Sequence, residues 1–116
     1  LNITQNSFSV TTTSSTLNIN PSDLSYIKLT CTSGSCSTCS GSGCPDLILS
    51  NGNQDGHILI LRSDAAANRG LYMPGNLAST TNYRLTANFQ LANNNFITLM
   101  WISSESEWRE ISRATY

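Results

Sequence analysis

Charged side chains are scarce in this sequence of 116 residues: Asp, Glu, Lys and Arg together make up 11%, and the formal net charge is -1. Typical soluble domains carry about 25% charged residues. Binding to nucleic acid or to an anionic membrane requires clustered Lys and Arg, whereas the six basic residues here are dispersed along the chain. The composition therefore argues against both classes of partner.

Long apolar runs and histidine are also rare. No stretch approaches the roughly 20 apolar residues of a membrane-spanning helix. The single histidine, His57, follows Asp55, but it opens an apolar strand and no Gly-x-Ser-x-Gly motif accompanies it. Glu107 and Glu110 are an odd number of positions apart, so a strand would turn them to opposite faces, unlike a glycosidase pair. We therefore expect no enzymatic activity and no catalytic residues.

Most of the polar residues are neutral rather than charged. Asn, Ser and Thr account for 44 of the 116 residues. Such residues line the strands and turns of many extracellular β-proteins. A surface of amides and hydroxyls is suited to neutral partners, such as glycans, that are recognised by hydrogen bonding.

Short strand patterns, separated by polar turns, recur along the chain. They fall at residues 8–13, 26–30, 46–50, 57–62, 83–86, 96–102 and 108–113. Asn51-Gly52 is a typical hairpin-turn dipeptide, and residues 103–106 are predicted to turn a final hairpin. Helical periodicity is limited to single turns. The pattern predicts an all-β fold, a small antiparallel β-sandwich of jelly-roll type, over residues 21–116. Residues 1–20 are predicted to form either a first strand or a joint that connects a stalk to this domain at its tip.

The four cysteines lie in one Gly- and Ser-rich segment with the spacing C-x4-C-x2-C-x4-C. A hairpin over residues 31–44 would pair Cys31 with Cys44 and Cys36 with Cys39, and we predict these nested disulfides. Sequential pairing, Cys31–Cys36 and Cys39–Cys44, is the alternative. Zinc and iron–sulfur sites fit less well, because their ligands normally come from separated segments, so we predict no metal or cofactor. Disulfides indicate an oxidising compartment.

Four pieces of the chain occur in a characteristic order: Tyr26-Ile-Lys-Leu-Thr30, Leu47-Ile-Leu-Ser-Asn-Gly-Asn-Gln-Asp-Gly-His-Ile-Leu-Ile-Leu61, Phe89-Gln-Leu-Ala-Asn-Asn-Asn-Phe-Ile-Thr-Leu-Met-Trp101 and Trp108-Arg-Glu-Ile-Ser-Arg113. This order resembles the C-terminal tip modules of phage-type tail fibres, which also occur in related bacterial adhesive fibres. The resemblance covers roughly residues 24–116, and the cysteine segment and residues 71–81 depart from it. It implies a homotrimeric tip on a virion or bacterial surface fibre that binds a cell-surface glycan or protein receptor. A trimerisation cap without a ligand is the alternative, and a hydrolase the third.

Exposed tyrosine and arginine are favoured in recognition, because they combine a large contact area with hydrogen bonding. We therefore predict a receptor patch formed by Arg69, Tyr72, Tyr83 and Arg84, with trimer-interface packing as the alternative role. Trp101 shares a strand face with apolar residues and is predicted to lie in the core. Trp108 is predicted at a sheet edge or a subunit contact.

Overall fold

The computed structural model describes residues 3–8, 16–31, 36–75 and 82–116. Within these residues the strands are β1 (Ile3–Phe8), β2 (Thr16–Ile19), β3 (Tyr26–Cys31), β4 (Asp46–Leu49), β5 (Ile58–Ser63), β6 (Leu71–Met73), β7 (Tyr83–Arg84), β8 (Phe89–Leu91), β9 (Phe96–Ile102) and β10 (Glu107–Ala114). Short 3-10 helices cover Gly41–Gly43 and Ser103–Glu105. The predicted strand at residues 8–13 lies almost entirely outside the described residues.

Two sheets pack together, so the predicted all-β sandwich is confirmed. Sheet A has the strand order β1-β3-β5-β9-β10-β7, and sheet B has the order β2-β4-β6-β8. The first six strands alternate between the sheets, and each strand lies parallel to the previous one in its own sheet. Antiparallel pairing joins β5 to β9, β9 to β10 and β6 to β8. The sheets are therefore mixed rather than antiparallel, because the chain winds through both of them as a coil.

Asn51-Gly52 does not turn a hairpin, because β4 and β5 belong to different sheets. Gly52 instead allows the Trp101 side chain to approach the main chain closely. A Cβ atom built on it would lie 2.5 Å from Trp101 Cβ and 2.8 Å from Trp101 Cδ2. The glycine is thus required by the indole that packs over it.

The core lies between the sheets and is built from the inward-facing residues of each strand. Trp101 and Trp108 lie opposite each other on β9 and β10, with ring centroids 5.4 Å apart. The core position of Trp101 is confirmed. The edge position predicted for Trp108 is wrong: its side chain is fully buried, and its Nε1 donates a hydrogen bond of 3.0 Å to the Ser50 carbonyl.

The predicted final hairpin is confirmed as β9 and β10. Its second strand contains a β-bulge at Ile111, between the paired residues Glu110 and Ser112. Because side chains alternate along a strand, residues three apart normally face opposite sides. The extra residue of the bulge changes this alternation and brings Glu110 and Arg113 to the same side.

Disulfides are present, but the nested pairing and the hairpin over residues 31–44 are wrong. The bonds join Cys31 to Cys36 and Cys39 to Cys44. The two flanking strands do not pair with each other, because β3 pairs with β1 and β5 in sheet A while β4 pairs with β2 and β6 in sheet B. The cysteine segment is therefore a corner between the sheets, and sequential bonds close one short loop on each side of it.

Candidate functional site

The predicted receptor patch does not form as a single surface. The Tyr83 side chain is fully buried, and its hydroxyl donates a hydrogen bond to the Leu47 carbonyl. Burial raises the pKa of Tyr83 above its ordinary value. The Arg84 Nε atom donates to the buried Glu107 carboxylate at 3.0 Å. Tyr83 is therefore a core residue, and Arg84 belongs to an ion-pair network.

Arg69 and Tyr72 are both partly exposed. Tyr72 lies on the outward side of β6, and Arg69 precedes that strand. Tyr72 is in register with Asp46 on one neighbouring strand and with Gln90 on the other. The Gln90 Nε2 atom donates a hydrogen bond of 3.4 Å to the Arg69 carbonyl. A ligand role for Arg69 and Tyr72 stays a prediction.

The Asp55–His57 pair is not assembled as a catalytic pair. His57 Nε2 lies 2.7 Å from the Leu24 carbonyl oxygen, which only accepts, so Nε2 carries the proton. Nδ1 accepts a hydrogen bond of 3.3 Å from the Asn53 amide. The Asp55 carboxylate accepts instead from the Ser103 amide at 2.9 Å. These bonds tie three separate segments together and occupy both ring nitrogens.

An ion-pair network joins β7 to β10, and sequence reasoning missed it. The Glu107 carboxylate is buried and accepts hydrogen bonds from Arg84 at 3.0 Å and from Arg109 at 2.9 Å. The hydrogen bond from Arg84 is the main cause that lowers the pKa of Glu107. Arg109 also pairs with Glu105 in the preceding turn. The alternation of Arg and Glu in the final strand was the available signal.

A second ion pair spans the bulge. Glu110 accepts a hydrogen bond from Arg113 Nε at 2.7 Å and one from the Thr86 amide at 2.8 Å. The hydrogen bond from Arg113 is the main cause that lowers the pKa of Glu110 to about 2. The Arg113 guanidinium also lies 5.0 Å from the centre of the Phe89 ring. The charged groups of the motif Trp108-Arg-Glu-Ile-Ser-Arg113 are thus engaged in contacts that close this end of the sandwich.

An open groove of about 500 Å³, here called the Arg62 groove, lies beside the turn between β8 and β9. It is lined by Arg62, Asn93, Asn94, Phe96 and Tyr116. Asn93 and Asn94 have left-handed φ angles of 56° and 63°, which asparagine tolerates better than most residues. Their amides donate to the Ala65 and Ser63 carbonyls at 2.6 and 2.8 Å, which fixes the turn to the end of β5.

The lining side chains of the Arg62 groove hold one another in place. Arg62 Nη2 donates to Asn94 Oδ1 at 2.9 Å, and Asn93 Nδ2 donates to the main-chain oxygen of Tyr116 at 3.0 Å. The Phe96 and Tyr116 rings lie 6.2 Å apart with an interplanar angle of 37°. The groove therefore combines two aromatic rings, two amides and one cation in a largely fixed arrangement.

A second open groove of about 390 Å³, here called the His57 groove, lies near the start of β5. Its lining is mainly polar and consists of Asp23, Ser25, Asn53, Gln54, Gly56, His57 and Ile58. Both ring nitrogens of His57 are hydrogen-bonded to main-chain groups, so the imidazole is a fixed part of the groove wall.

The basic residues fall into two groups. Four of them form ion pairs with carboxylates: Lys28 with Asp64, Arg84 with Glu107, Arg109 with Glu105 and Glu107, and Arg113 with Glu110. Within the ranges that the structure describes, Arg62 and Arg69 have no carboxylate at ion-pair distance. The positive charge of the Arg62 groove is therefore available to a ligand.

Among residues 16–31, 36–75 and 82–116, no three His, Cys, Asp or Glu side chains cluster closely enough to hold a metal ion. None of the helices in the described part of the chain has the length and apolar character needed to cross a membrane. Comparisons of the chain with protein-family models, with curated proteins and with solved structures found no match.

Proposed function

We propose that this chain is the non-enzymatic attachment module of a trimeric extracellular fibre, and that it binds a cell-surface glycan in the Arg62 groove. The observation that carries the proposal is the pairing of aromatic rings, Phe96 and Tyr116, with the amide side chains of Asn93 and Asn94 in one groove. Binding sites typically join an apolar, aromatic lining to a few placed polar groups. Such a lining suits a sugar, which has one apolar face and several hydroxyls.

The shallow, open shape of the groove is consistent with weak binding by a single copy. Three copies on one fibre convert weak sites into firm attachment, because linked sites gain on the order of 10²–10⁴ in apparent affinity. The largely neutral surface favours the same mode, since glycans are recognised mainly by hydrogen bonds. The disulfides fit an oxidising, extracellular setting.

The outward side of sheet A supports the trimer. It carries the large apolar residues Ile58, Ile60, Met100 and Ile102, which alternate with buried residues along β5 and β9 and are all at least partly exposed. Exposed apolar residues grouped on one face of a sheet commonly mark a protein contact. We expect light scattering to give about three times the chain mass of 12.6 kDa. A monomer at all concentrations would contradict the trimer and would remove the gain in apparent affinity that linked sites provide.

Glycan-array binding by the oligomeric protein tests the attachment role. We expect Phe96→Ala and Tyr116→Ala to reduce binding about tenfold or more, because each removes a ring from the groove. Gln54→Ala, in the His57 groove, serves as the matched control and should leave binding unchanged. An array without any bound glycan, or equal binding by all variants, would refute the groove assignment.

A structural cap is the second candidate function. The observation that favours it is the internal use of the final motif, in which Trp108, Glu110 and Arg113 all contact other parts of the same chain. A cap would keep a fibre in register without binding a ligand. A trimer that binds no glycan would favour the cap over the attachment module.

A further inference from the structure

We propose that the Arg62 groove selects sugars that carry a carboxylate, a specificity that rests on the attachment function proposed above. The first argument is charge. Arg62 lacks an acidic partner among the described residues, and on the adjacent strand it is in register with a second cation, Lys28. Lys28 is itself paired with Asp64 at 3.5 Å, whereas none of the carboxylates in the described ion pairs contacts Arg62.

The second argument is the geometry of the guanidinium group. Arginine presents five N–H donors in a planar fork that matches the two oxygens of a carboxylate. Among the described residues, one side chain bonds to this fork: Asn94 Oδ1 accepts a hydrogen bond from Nη2. That acceptor is a neutral amide, so it orients the fork without neutralising it. Arg62 is thus held in position with donors left for an anion.

The third argument is the position of the rings. Phe96 lies on β9 directly opposite Arg62 in the sheet register, and Tyr116 lies close to Phe96. A carboxylate bound at Arg62 would therefore place its sugar ring beside an aromatic surface.

Titration calorimetry with matched oligosaccharides tests the specificity. One probe ends in a sialic acid, the second in a glucuronic acid, and each is paired with its carboxyl-reduced, neutral counterpart. We expect at least one acidic probe to bind about tenfold more tightly than its counterpart, with affinity falling as salt rises. Comparison of the two acidic probes shows whether the carboxylate is that of a sialic or a uronic acid.

Three variants connect that preference to Arg62. Arg62→Gln should abolish the preference for the acidic probe, and Arg62→Lys should keep part of it, because the charge remains while the fork is lost. Arg109→Gln removes the same charge on β10, outside the Arg62 groove, and should preserve the preference. Urea unfolding of each variant confirms that the fold is retained.

Equal binding of acidic and neutral sugars by the unaltered protein would overturn the specificity but leave the attachment function standing. A preference that disappears in Arg109→Gln and persists in Arg62→Gln would also overturn it. Failure to bind any sugar, on the array or in solution, would instead refute the attachment function itself.

Discussion

Replacing Gly52 with alanine places a methyl group in the space occupied by the Trp101 side chain. The new Cβ atom would lie 2.5 Å from Trp101 Cβ and 2.8 Å from Cδ2, well inside van der Waals contact. The indole has little room to move, because Trp108 packs against it and the Trp101 main chain bonds to Gly56 and His57 at 2.9 Å each. Overpacking of this kind costs about 1–3 kcal/mol. We expect about 2 kcal/mol, near the middle of that range.

Urea unfolding followed by tryptophan fluorescence measures this cost, and thermal unfolding should show a fall of about 5–10 °C. Gly43→Ala is the matched control, since a Cβ atom there has no heavy atom within 4 Å, and it should change stability by less than about 0.5 kcal/mol. Equal stability of the two alanine variants would refute the steric explanation.

Three further predictions concern the core and the cysteine corner. Because the pKa of Glu110 is lowered from 4.5 to about 2, its pairing with Arg113 stabilises the fold above pH 4.5 and is lost as the pH falls from 4.5 to 2. Glu110→Gln should flatten this part of the stability curve, and an unchanged curve would contradict the ion pair. Tyr83→Phe should cost about 1–3 kcal/mol in urea unfolding, since it leaves the buried Leu47 carbonyl without its donor; a neutral result would contradict this. Partial reduction and mass spectrometry should recover Cys39–Cys44 as a sequential bond, and its removal by double alanine substitution should cost about 2 kcal/mol; recovery of a Cys36–Cys39 bond would contradict the pairing.

The sequence was a good guide to strands and a poor guide to their pairing. Alternation and apolar runs identified β9 and β10, because they form a local hairpin with a short turn between them. Asn51-Gly52 also has the composition of a hairpin turn, but the strands around it lie in different sheets. Parallel partners such as Tyr26 and Ile60 are far apart in the chain. A local sequence pattern does not indicate which distant strand will pair with a given strand.

The candidate site shows the same division. Arg69 and Tyr72 are partly exposed, whereas Tyr83, predicted from the same type of local sequence, is fully buried. Whether a tyrosine is buried or exposed depends on which side of its strand faces the core. For Tyr83 that side is set by the parallel pairing of β7 with β10. The Arg62 groove was missed because its lining comes from β5, the β8–β9 turn and the last residue, which only the folded chain brings together.

The corner that joins β3 to β4 has a consequence for protein engineering. A hairpin loop must keep the register of the two strands that it connects, so its length is restricted. The strands at this corner belong to different sheets, and each takes its register from other neighbours. The loop closed by the Cys39–Cys44 disulfide therefore has no strand register to maintain, and it offers a position where a foreign peptide could be grafted while the sheets beneath are preserved.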